Sequence, residues 1–121
     1  MKHLVLLANS TDDTVYFMNT ESERDNLALK PLHAATEIRF DIPDNSDSDK
    51  YFSEHHMEIR NSKEEPLYSI WCDDNNNYAL MYCKGREWSD SDKVPGYSDG
   101  GNGISIGLVL NADSSLSAVV V

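Results

Sequence analysis

Three features of the chain predict an all-β fold, an antiparallel β-sandwich or jelly-roll-like domain of about eight strands with at most one short helix. Ile38, Phe40 and Ile42 alternate strictly with Glu37, Arg39 and Asp41, the two-residue period of a strand with one wet face. Comparable stretches recur to the last residue, separated by clusters of Asp, Asn, Ser and Gly that break strands and make turns. No helical pattern long enough for a crossover separates successive stretches, which disfavours a parallel α/β sheet. The 121 residues fit one domain, 1–121, and folding at this size withdraws roughly two-thirds of the unfolded surface from water, enough for a core without staples.

Residues 3–8 hold the apolar run Leu4 to Ala8, which is too short for the h-region of an export signal and reads as the first strand. Residues 9–13 form a polar turn of hairpin length, so 14–18 should return as an antiparallel neighbour. Thr20, Glu21, Ser22 and Glu23 have the form of a capping box, and Pro31 stops whatever follows; a helix of two turns at most, or an irregular crossover, fits between. Strands at 36–42 and 54–60 come next. In the latter, Glu54, His56 and Glu58 share one face while His55, Met57 and Ile59 share the other.

Residues 67–72 and 78–83 read as a hairpin with apolar side chains on both faces, hence a central position, with Trp71 as a core anchor. If residues 73–77 form its loop, Cys72 faces Tyr78 and Cys83 pairs near Leu67, about five residues of roughly 3.4 Å away and beyond disulfide reach. Two reduced, buried thiols are expected, matching a cytoplasmic location. The last hairpin joins 104–110 to 116–121. Its final Val119, Val120 and Val121 are either paired inside the sheet or form an edge that recruits a second copy, a homodimer.

Composition narrows the partners. With 21 acids, 10 bases and a net charge of -11, the chain repels phosphate, and its bases are scattered, so no nucleic-acid ligand is expected. Basic proteins and cations are favoured instead. Nothing approaches the eighteen or so apolar residues of a membrane span.

The segment 84–103 is the natural place for a ligand, because compact domains seldom carry loops longer than about 12 to 15 residues without purpose. Trp88 and Tyr97 would stack on the apolar face of a sugar, while Asp90, Asp92, Asp99 and Asn102 would bond its hydroxyls. The competing reading folds Trp88 back on the core and leaves a solvated loop. The pentapeptide Ser-Asp-Ser-Asp-Lys occurs at 46–50 and at 89–93, but the flanking residues do not align as a duplication. No metal site or cofactor is expected. Asp73, Asn75 and Asn77 open like a calcium-binding EF-hand loop, yet Tyr78 replaces its glycine and Lys84 its bidentate Glu, leaving only a calcium site built from two loops.

Glu54, His56 and Glu58 could serve acid-base or zinc chemistry but lack a recognisable further ligand, and a solvated strand face is the favoured reading; His55 reads as a packed histidine. No nucleophile elbow, Walker loop or H-E-x-x-H occurs, so no enzyme is expected. Two functions remain. The favoured one is a lectin-like protein recognising a glycan or a polar lipid head group through its acidic, aromatic-bearing loops, because the long aromatic loop is harder to explain by solubility than the charge is; the alternative is an acidic inhibitor or immunity-type protein that blocks a basic cleft on a partner enzyme or toxin.

Overall fold

The computed structural model describes residues 2–22, 24–45, 55–96, 99 and 101–121, and half-buried alternation has become two facing sheets. The strands are β1 (His3–Asn9), β2 (Val15–Asn19), β3 (Asn26–Leu29), β4 (His33–Ala35), β5 (Phe40–Asp41) and β6 (Met57–Arg60). They continue as β7 (Pro66–Asp73), β8 (Ala79–Lys84), β9 (Asp92–Lys93), β10 (Ser105–Leu110) and β11 (Leu116–Val120). One sheet runs β11-β10-β1-β4, with β5 also on β1; the other runs β3-β2-β6-β7-β8-β9. Among the described residues the strand ladders are antiparallel except β1 with β10. The all-β sandwich predicted from sequence is therefore what the chain forms, with more and shorter strands than eight. Among the described residues no helix is long and apolar enough to cross a membrane.

The core lies between the sheets. Leu4 and Leu7 of β1 and Ile106 and Leu108 of β10 meet Phe17, Ile59, Ile70 and Leu80 from the other sheet, all essentially without solvent contact. Burying each such side chain contributes roughly 1.5–3 kcal/mol, so this layer dominates the stability of the fold.

Several local expectations are corrected. Residues 3–8 and 14–18 are strands but not neighbours, because the 10–14 turn carries the chain from one sheet to the other. Asn9 fixes that crossing: its Nδ2 donates to the carbonyls of Asp13 at 2.7 Å and Leu29 at 3.1 Å, and its Oδ1 accepts from Thr11 N and Oγ1. The described residues of the capping-box segment do not form a helix. Asn19 Oδ1 accepts from Glu21 N and Ser22 N, an Asx turn that competes with helix, and β3 then folds back on β2. In 36–42 the alternation is real, since Phe40 and Ile42 are buried, but only Phe40 and Asp41 join a ladder.

The central hairpin is present with its register two residues from the expected one: Cys72 faces Leu80 and Cys83 faces Ser69. Asp73 pairs with Ala79, so residues 74–78 form the loop, with Asn77 and Tyr78 both at positive φ. Both cysteines are free and buried. Trp71 is buried, but on the outer side of its sheet, where it packs with Cys83, Met81 and Trp88 apart from the main core.

The long segment 84–103 has a structural task. Its β9 portion extends the six-stranded sheet, Val94 N donates to Leu80 O at 2.9 Å with the Val94 side chain in the core, and Pro95 O accepts from Ala118 N at 2.8 Å. Residues 92–96 thus sew β8 of one sheet to β11 of the other, closing that seam. Gly96 makes the seam tight: at its φ of 95° a Cβ would sit 2.2 Å from Ala118 O.

Candidate functional site

Antiparallel pairing of β8 with β9 sets Asp92 opposite Tyr82, and the turn of 3-10 helix at Trp88–Asp90 swings Glu87 and Asp90 to the same place. Together with Lys84 they line an open groove of about 350 Å3. Tyr82 supplies its apolar wall, with its ring 5.7 Å from that of Tyr68, and the three carboxylates supply an acidic rim.

Of the six residues proposed from sequence, Asp90 and Asp92 come together in this groove. Asp99, exposed, bonds Lys93 Nζ at 3.0 Å, and Asn102 is exposed in the following turn. Trp88 is half-buried against Trp71 and Cys83. Tyr97 lies outside the described residues. The turn that carries Asn102 is anchored by Lys2, fully buried, whose Nζ donates to Tyr78 O and, at 3.2 Å, to Gly101 O. Burial holds the Lys2 ammonium below its ordinary pKa, opposed by the charges of Asp99 and Asp44.

Sequence reasoning missed the role of Tyr82, Lys84 and Glu87. The signal available was their period: Tyr82 and Lys84 share a face of β8, and Glu87 follows the turn at Gly85.

A second cluster overturns the solvated face expected for residues 54–60. Glu54 lies outside the described residues, but Glu58 is 1% exposed and His56 is buried with it on the outer side of β6. Arg60 Nε donates to Glu58 Oε1 at 2.7 Å, Arg86 Nη2 to Oε1 at 2.9 Å and Nε to Oε2 at 3.1 Å, and His56 Nε2 to Oε2 at 3.0 Å. Burial alone would raise the Glu58 pKa; the bonds from His56, Arg86 and Arg60 outweigh it and hold the carboxyl far below the usual range. Arg86 arrives from the segment after β8, so no strand pattern in the sequence announces it. His55 is not packed: it is half exposed and meets Glu21 at 2.8 Å, because β6 starts only at Met57.

Thr20 Oγ1 stands 3.4 Å from His56 Nδ1, so hydroxyl, imidazole and carboxylate lie in the order of a nucleophile, base and acid. The hydroxyl nevertheless donates to the carbonyl of His56 at 2.9 Å, and the Glu58 charge is shared between two guanidiniums. Those bonds direct the hydroxyl proton away from the imidazole.

Burial lifts both thiols, Cys72 and Cys83, to a pKa of about 11, so each is protonated at neutral pH. Among the described residues no three His, Cys, Asp or Glu side chains gather as metal ligands. Compared with protein-family models, curated proteins and solved structures, the chain matches none.

Proposed function

We propose that the protein is a non-catalytic binding protein whose acidic groove edge, Glu87, Asp90 and Asp92, docks on a basic site of a protein partner, as an inhibitor or immunity-type protein would. The observation that carries this reading is the convergence of three carboxylates beside one ammonium in a chain of net charge -11. Charge of this kind steers a cationic partner and accelerates its association, and salt weakens it over a Debye length of about 8–10 Å. The half-buried Trp88 supports the protein partner over the sugar, because an indole packed on Trp71 offers less of its face for stacking. Two buried thiols support a reducing, cytoplasmic setting.

A lectin-like function, with a glycan or polar lipid head group as ligand, is the second reading. It is favoured by the Tyr82 ring in a groove of about 350 Å3, since an aromatic wall with carboxylates suits a sugar. The two separate in one set of experiments. The immobilised chain should capture a basic protein at low salt and release it at moderate salt, and the triple variant Glu87→Gln, Asp90→Asn, Asp92→Asn should slow association at least about tenfold. Glycan-array or liposome binding that ignores salt and disappears in Tyr82→Ala would instead establish the second reading.

A further inference from the structure

We infer that the outer face of the five-stranded sheet is a docking surface for the same face of a second copy of this chain. The cross-strand rows define it. Leu7, Leu108 and Ala118 form a row that points into the core, so the adjacent row of Leu6, Gly107 and Val119 points outward, as does the row of Ala8, Val109 and Ser117. Leu6, Ala8, Val109 and Val119 are only half-buried. Gly107 draws two of them together: a Cβ there would lie 2.8 Å from Leu6 Cδ2 and 2.9 Å from Val119 Cγ2, so in its absence Leu6 and Val119 close over the glycine as one continuous apolar patch.

Charge selects the occupant. The chain has 31 charged residues from 21 acids and 10 bases, yet β1, β10 and β11 contain no Asp, Glu, Lys or Arg. Two copies, each at -11, repel one another wherever acids meet, and the β1-β10-β11 part of this face presents none; the acid of β5, Asp41, lies at its margin bound to His3 at 2.6 Å. A charged partner would have to desolvate its ionic groups here without receiving a counter-charge. An identical uncharged face incurs no such penalty, and a two-fold contact is isologous.

The neighbouring edge does not compete. Pro95 O already takes the Ala118 N–H, and Gly96 bridges Ala118, so the middle of β11 is capped and the exposed Val120 and Val121 extend beyond the cap. Strand addition at the edge, the route suggested by the terminal valines, is therefore blocked, whereas stacking of the faces about 10 Å apart is open.

The test is the mass of the full chain in solution between about 1 and 100 µM, the range in which an interface of modest area associates. The mass should rise with concentration from 13.6 kDa toward twice that value, and more readily at high salt, which screens the repulsion. Val119→Lys should abolish the rise with an unchanged circular-dichroism spectrum, while Val120→Lys on the capped edge should dimerise like the parent. Val109→Lys carries the same test if Val119→Lys fails to fold. A parent chain that stays at 13.6 kDa throughout overturns the inference, as does dimer that survives in the face variants or is lost only in Val120→Lys. Because salt strengthens this contact and weakens the proposed acidic docking, the failure of one leaves the other standing.

Discussion

Replacing Glu58 by Gln keeps the shape of the side chain and removes its charge, which makes the worth of a buried, multiply bonded carboxylate measurable. Glu58 is 1% exposed and accepts four hydrogen bonds, from His56, from Arg60 and twice from Arg86. The amide would offer one acceptor oxygen and point its NH2 at further donors, so at least two bonds are lost. Charge-assisted bonds contribute about 1.5–3 kcal/mol each, without simple additivity. The released guanidiniums limit the loss, because the Arg60 and Arg86 side chains are already 22% and 58% exposed and can turn into water. The buried His56 N–H has no such escape, and stranding it costs about 1–3 kcal/mol. The net expectation is about 3 kcal/mol at pH 7, within the usual cost of breaking a buried ion pair, or roughly 10 °C in Tm for a domain of this size.

Arg86→Ala should cost about 1–2 kcal/mol, since Arg60 and His56 still hold the carboxylate, and the double variant should be little worse than Glu58→Gln alone. The sign of the pH dependence follows from a depressed carboxyl. Its contribution is full above the ordinary value of 4.5 and is lost as pH falls below it toward the folded value, so parent and Glu58→Gln should converge in acid. Urea denaturation at pH 7 and at successively lower pH is the assay. A difference under about 0.5 kcal/mol at pH 7, or one that does not shrink in acid, would mean that the Glu58 charge does not stabilise the fold through these bonds.

The glycines and thiols yield further expectations. Gly96→Ala should destabilise by more than about 2 kcal/mol, because its Cβ meets a backbone oxygen at 2.2 Å and its φ is 95°; thermal melts should rank it well below Gly107→Ala, whose clashes at 2.8 and 2.9 Å are with side-chain ends that can shift. A reversed order would mean that the seam between β8 and β11 is loose. Native protein at pH 7.5 should resist iodoacetamide and take up two labels by mass only after unfolding, given thiol pKa values near 11. Rapid labelling of the folded chain would contradict the burial of Cys72 and Cys83.

What the chain determined by itself is the alternation. Phe40 and Ile42, and Met57 and Ile59, show locally which side chains share the core face, because side-chain direction in extended backbone depends only on the parity of the position. The acidity that favours a basic partner was equally legible, being a sum that needs no fold. Tertiary structure decided the rest. Whether Glu58 faces water or two guanidiniums depends on Arg86, 28 residues further on, and a period of two carries no information over that distance. The same holds for residues 84–103: their length suggested a ligand loop, and only the arrival of Pro95 beside Ala118 made part of them a seam. Parallel pairing of β1 with β10 likewise joins the two ends of the sequence, a contact set by which faces need burial and not by any residue next to it in the chain.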